Sequence, residues 1–154
     1  MAPSIQDEIK QRKPFSSLEE ETALALARTS DLIQRRAAEL FKSYGITGTQ
    51  YNVLRILRGA GSEGIPCSEI GERMVTRDPD ITRLLDRMEK LQLCARARDS
   101  KDRRVILSHI TPKGMDLLRQ LDRPVAELNR KVLGHMGASR LRSLCRLLEA
   151  ARGG

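Results

Sequence analysis

The stretch that most constrains this chain is residues 94–114, CARARDSKDRRVILSHITPKG. Two short runs of strand-like composition flank a polar, charged tip. The second run, residues 105–110 (VILSHI), is rich in β-branched and apolar side chains, as a hairpin strand requires. Its end is sharply marked. Thr111 is suited to cap a helix, and Pro112 fits the first helical turn, where its missing N–H costs nothing because that amide has no intrahelical partner. The order strand, charged turn, strand, helix follows. Between residues 90 and 104 six basic side chains (Lys90, Arg96, Arg98, Lys101, Arg103, Arg104) stand against two acidic ones (Asp99, Asp102). A hairpin tip with that balance suits a phosphate backbone.

Upstream, residues 68–93 read as two helices separated by a short polar turn. Ser68 is placed to cap a short helix that carries Ile70 and Met74 inward. Asp78 and Pro79 predict the cap and first-turn proline of a longer helix, in which Ile81, Leu84, Leu85, Met88 and Leu91 form one apolar stripe. The opposite face carries Asp80, Thr82, Arg83, Asp86, Arg87 and Lys90. Thr82 and Arg83 lie near the N-terminal end, the part of such a helix that enters a major groove most deeply. Arg83 and Arg87 also stand at the spacing for ordinary surface pairs with Asp80 or Asp86. Gly59, Gly61 and Gly64 mark a turn ahead of this unit.

Helix, turn, helix and hairpin in that order describe a winged helix-turn-helix lobe, whose second helix reads base edges while the wing reaches an adjacent groove. At these residues the chain resembles a known family. The run DPDITRLLDRMEKLQLCARARDSKDRRVILSHITPKG is similar to the recognition helix and wing of the multiple antibiotic resistance regulator (MarR) family. YNVLRIL at residues 51–57, PFSSLEEE at residues 14–21 and two C-terminal helices extend the resemblance over roughly the whole chain, as one domain of this length allows. The resemblance implies a mainly α fold with a small β-hairpin wing, in which N- and C-terminal helices (residues 1–46 and 112–154) form a dimerisation region around a lobe at residues 47–111. It implies a homodimeric transcription regulator on a pseudo-palindromic double-stranded operator, repressor or activator, with a small-molecule effector between dimerisation helices and lobe. The expected recognition-helix contacts are Asp80, Thr82, Arg83 and Arg87, and the expected wing contacts are Arg98, Lys101, Asp102, Arg103 and Arg104. The family's Asp-x-Arg wing pattern falls on Asp102 and Arg104, the carboxylate orienting the wing and the arginine probing the minor groove, with Arg103 between them. Arginine suits a narrow minor groove because its cation is weakly hydrated and the groove concentrates negative potential. The sequence departs from the family where Gln92 replaces the usual glycine between recognition helix and wing. Gln92 must take a positive φ at some cost or leave the helix by another route.

The two ends of the chain read as helices of a different kind. Ser17 and Glu20 have capping-box spacing ahead of Leu26, Ile33, Leu40, Phe41 and Tyr44, and Thr47 and Gln50 repeat the box. After Pro112, the positions Leu118, Leu121, Val125, Leu128 and Val132 alternate spacings of three and four, the seam of a helix packed on another long helix. Leu141, Leu144, Leu147 and Leu148 continue it. Such stripes can be buried between two copies of the chain or within one. Pro124 should bend the helix near Leu121, and Gly134 and Gly137 mark a break. Residues 1–13, with Ile5 and Ile9 on one face, read either as a short helix laid across a partner subunit or as a loose tail.

A net charge of +8 and a pI near 9.9 favour an anionic partner. Nucleic acid is preferred to a membrane, since no apolar run approaches about 18 residues and no signal-peptide pattern follows Met1, so a cytoplasmic location is expected. Cys67, Cys94 and Cys145 show no close pair and are expected to be buried thiols, and His109 and His135 have no partner at metal-ligand spacing. No phosphate loop or nucleophile elbow is present, so neither an enzyme nor a cofactor is expected. Phe15, Phe41, Tyr44 and Tyr51 are too few to make a base-stacking platform for single strands. The competing expectation is a winged-helix protein–protein adaptor whose basic wing meets an acidic surface.

Overall fold

The computed structural model describes residues 1–153. In chain order they form α1 (Ile5–Glu8), α2 (Leu18–Ser43), α3 (Gly48–Ala60), β1 (Ile65–Pro66), α4 (Cys67–Arg73), α5 (Ile81–Lys90), β2 (Cys94–Arg98), β3 (Ile106–Ile110), α6 (Pro112–Leu133) and α7 (Ala138–Arg152). The antiparallel sheet has the order β1-β3-β2, with Cys94 opposite Ile110 and Arg98 opposite Ile106. The hairpin falls where the sequence places it. The third strand is an addition, since Ile65 and Pro66 pair with Ser108 and Leu107 on the far edge of β3. An edge strand tolerates Pro66 because its outer side has no ladder to complete. Gly64, just before β1, has φ +72°, and a Cβ there would lie 2.5 Å from the His109 ring, so backbone and packing both call for glycine.

Several helix starts differ from the sequence reading. α4 begins at Cys67 rather than after a Ser68 cap, because β1 delivers the chain directly into the helix and Pro66 takes the cap position in extended backbone. α5 is capped by Asp80, whose Oδ1 accepts from the Arg83 N–H at 3.0 Å, and not by Asp78. Asp78 instead accepts from the Asp80 N–H at 2.8 Å, an Asx turn that leaves Pro79 outside the helix. Ser17 caps α2 as expected. Glu20, however, does not close the box on Ser17; its carboxylate reaches one residue further, to the Ser16 N–H and hydroxyl, and these bonds hold its pKa below the usual value. The box of Thr47 and Gln50 on α3 is complete, with bonds of 3.2 and 3.0 Å. α6 is one continuous helix from Pro112 to Leu133, capped by Thr111 and with Pro124 inside it. α1 sits against α2 of its own chain, where Arg28 meets Glu8 at 3.5 Å.

One core joins the elements. Val53, Leu54 and Leu57 of α3 lie at its centre, covered by Ile70, Leu84, Leu85 and Met88 from α4 and α5, by Phe41 of α2 and by Leu118 and Leu121 of α6. Each such side chain contributes about 1.5–3 kcal/mol of burial, so the inner ends of α2 and α6 are integral to the lobe. Their outer ends are not. Val125, Leu128 and Val132 are half-buried, α7 buries none of its residues, and Leu18 and Leu147 are 73% and 68% exposed. The cysteines also divide, against the expectation of three buried thiols: Cys94 is buried, Cys67 intermediate and Cys145 exposed.

Candidate nucleic-acid interface

α5 presents Thr82, Arg83, Asp86, Arg87 and Lys90 to solvent while Leu84, Leu85 and Met88 anchor it. Of the expected contacts, Asp80 is used as the helix cap and also lies 3.6 Å from the Arg83 guanidinium. That pair is exposed and weak enough to open in favour of a base or phosphate. The Thr82 hydroxyl is 4.0 Å from the Cys67 sulfur, so it borders α4. Arg87 makes no ion pair among the described residues.

The wing tip is built by its own side chains. Asp99 accepts from the Lys101 N–H, the Asp99 N–H donates to the Val105 carbonyl, and Val105 donates to the Asp102 carbonyl at 3.0 Å. Arg98 donates to the Arg103 carbonyl at 2.8 Å and so braces the tip from β2. Asp102 accepts from the Arg104 Nε at 3.1 Å and Nη2 at 3.3 Å, as well as from its backbone N–H. The guanidinium beside it holds the Asp102 carboxyl below its usual pKa, so it is charged whenever it orients Arg104. Arg104 is 91% exposed, with its Nη1 edge directed away from Asp102; Lys101 and Arg103 are exposed beside it. The structure thus joins the Asp and the Arg of the Asp-x-Arg pattern in one exposed pair.

Two arginines do work that composition alone does not announce. Arg96 of β2, one of six basic residues near the wing, is turned away from the tip to Asp86 and Glu89 of α5, with its Nε 2.7 Å from Glu89. Arg58 of α3 makes a two-pronged pair with Asp122 of α6 at 2.9 and 3.0 Å, tying the lobe to the long helix and lowering the Asp122 pKa. Opposite charges were visible in both cases, but the partners sit on different elements, 7 and 10 residues apart for Arg96 and 64 for Arg58.

The exit of α5 is locked to the start of α6. Gln92 does adopt a left-handed conformation, φ 60°. Its N–H donates to the Glu89 carbonyl and the Leu93 N–H to the Met88 carbonyl, a Schellman closure normally made by glycine. Thr111 then donates its hydroxyl to the Gln92 carbonyl at 2.6 Å and its N–H to the Leu93 carbonyl at 3.2 Å, and the Lys113 ammonium reaches the Leu91 carbonyl. Gly114 lies so close beneath that a Cβ would strike the Leu93 carbonyl oxygen. A groove of about 610 Å³ runs between α2, α3 and α6, lined by Ile33, Ala37, Tyr51, Arg55, Val75 and Val125 among others.

A helix-turn-helix whose second helix is exposed along its polar face, followed by a basic hairpin that completes a three-stranded sheet with β1, defines a winged helix-turn-helix protein. Residues 46–106 match the MarR family. A MarR transcription factor of known structure from Planctomyces limnophilus is 38% identical, over 89% of this chain and 99% of that one, with a TM-score of 0.68. This chain belongs to the MarR family, whose named relatives are transcriptional regulators and not enzymes. The HTH-type transcriptional repressor MdtR of Bacillus subtilis (strain 168) is 35% identical over 102 residues, 66% of this chain and 64% of that protein, so the match spans just under two thirds of the repressor. At the level of fold alone, BpsR of Bordetella bronchiseptica, whose DNA binding is regulated by 6-hydroxynicotinic acid, gives a TM-score of 0.79 at 18% identity over 92% of this chain and 99% of that one. No helix among the described residues is long and apolar enough to cross a membrane.

Proposed function

We infer that this chain is a cytoplasmic, homodimeric transcription regulator that reads a pseudo-palindromic operator, with α5 in the major groove and the 98–104 wing in the flanking minor groove. The observation that carries this reading is the Asp102–Arg104 pair at the tip of a basic wing, on the same lobe as the exposed Thr82, Arg83 and Arg87. Asp80 shapes the start of the reading helix through its cap, Arg98 braces the tip, and Lys101 and Arg103 add phosphate contacts. The division into a lobe at residues 47–111 and dimerisation helices at 1–46 and 112–154 is supported by the apolar residues exposed on α2 and α7. A small effector occupies the groove beside Arg55, whose cation suits an acidic aromatic compound of the kind that acts on BpsR. Such a ligand shifts DNA affinity only if it binds one spacing of the two lobes better than another.

Selection of random double-stranded DNA on the purified protein tests this, with a mass determination of the complex. An inverted repeat with half-sites about one helical turn apart, bound by two chains, is the expected product. Arg104→Ala should weaken operator binding, and Arg83→Ala should also relax base preference, each by about 1–3 kcal/mol. Enrichment no better than bulk DNA would overturn the reading and favour an adaptor with an acidic partner.

A further inference from the structure

Arg96 has the composition of a DNA contact and the geometry of something else. It lies on β2 opposite Ser108, and its side chain is only 26% exposed. The guanidinium crosses to α5, where it bridges Glu89, at 2.7 Å from Nε and 2.6 Å from Nη2, and Asp86. Asp86 and Glu89 are one turn apart on the reading helix, so a single planar cation spans both, a role a lysine ammonium fills poorly. Two residues further along the same strand, Arg98 holds the Arg103 carbonyl and with it the tip that presents Arg104. One strand thus carries an arginine that holds the helix and another that holds the wing tip. Without Arg96, the Asp86 and Glu89 carboxylates would stand uncompensated on a helix meant to approach phosphates.

We propose that Arg96 is a positioning residue that sets the distance and angle between the α5 reading helix and the wing, and so fixes the spacing at which major- and minor-groove contacts are made together. This rests on the DNA-reading function inferred above. A direct phosphate contact and a positioning brace make opposite demands on the acidic partners. If Arg96 touches phosphate, removing the Asp86 and Glu89 charges strengthens binding. If it braces, removing them releases the helix in the same way as removing Arg96.

The test uses the full chain and the operator obtained by selection, with copies carrying one base pair inserted or deleted between the recognition-helix and wing subsites of each half-site. Arg96→Met should lower the ratio of operator to bulk-DNA affinity about tenfold, the scale of coupling within a contacting network, and should reduce the penalty for altered spacing. The Asp86→Asn, Glu89→Gln double variant, which changes only surface carboxylates and keeps the fold, should do the same, and combining all three should add little. Arg96→Lys should recover part of the ratio. The proposal is overturned if the carboxylate variant binds operator as selectively as the wild type or more so, or if spacing preference is unchanged. It is also overturned if Arg96→Met weakens operator and bulk DNA equally and lowers the salt slope by about one, the mark of a phosphate contact. A wild-type chain with no preferred operator defeats the DNA reading itself, whereas an intact operator preference with any of those results defeats this proposal alone.

Discussion

Cys94 opens β2 with its sulfur 3.8 Å from the Leu85 carbonyl oxygen and almost no exposed surface. Burial pushes its thiol from 9.0 up to about 11, with Glu89 adding to the rise and Arg96 opposing it. Because the folded value lies above the unfolded one, the stabilising effect of the neutral thiol is complete below pH 9 and is lost as the pH rises towards 11. Urea midpoints should therefore fall across that window, and Cys94→Ala should flatten the fall. A variant curve parallel to the wild type would assign the alkaline loss to other groups. The sequence could count three thiols but not rank them, since Cys67 and Cys145 differ from Cys94 only in where the fold places them. Asp102 and Arg104 are the opposite case. Their contact is local, two residues apart within a tight turn, and so it was legible from the motif.

The joint between α5 and α6 shows how much an element boundary depends on its neighbours. Gln92 at φ 60° carries the left-handed cost of about 1–2 kcal/mol for a residue with a Cβ. Glycine would remove that cost and give back about 0.5–1 kcal/mol in unfolded-chain entropy. Gln92→Gly should then raise unfolding free energy by about 0.5–1 kcal/mol in urea titrations; a loss of stability would show that the glutamine side chain makes a compensating contact. The sequence left Gln92 either a positive φ or another way out of the helix, and the structure takes the first; the Thr111 cap and Pro112 start of α6 were foreseeable. The starts of α4 and α5 were not. β1 is two residues long and pairs with residues more than forty positions later in the chain, so no local pattern announces it, and its pairing decides where α4 begins.

For the whole molecule, the proposed dimer draws on the apolar side chains that a single chain leaves exposed. Leu32 is 46% exposed on α2 and Leu147 68% on α7, so changing them to glutamate costs the isolated fold little. Leu147→Glu and Leu32→Glu should shift the mass measured by sedimentation from dimer to monomer while the helical circular dichroism is retained. Variants that remain dimeric would move the interface elsewhere. The periodic leucines on the terminal helices were plain in the sequence, but their division was not: Leu118 and Leu121 complete the core of the lobe, whereas the continuation of the same seam is left half-covered. By itself the sequence determined much that rests on near neighbours: the amphipathic α5 and its polar face, the hairpin, the Asp102–Arg104 pair and the basic charge of the wing. Only the tertiary structure decided which arginine braces and which one projects, which thiol is buried, and how β1 closes the sheet. Those outcomes depend on contacts between separate elements, and Arg96 and Arg104 are the same residue type until the packing of β2 on α5 brings Asp86 and Glu89 beside one of them.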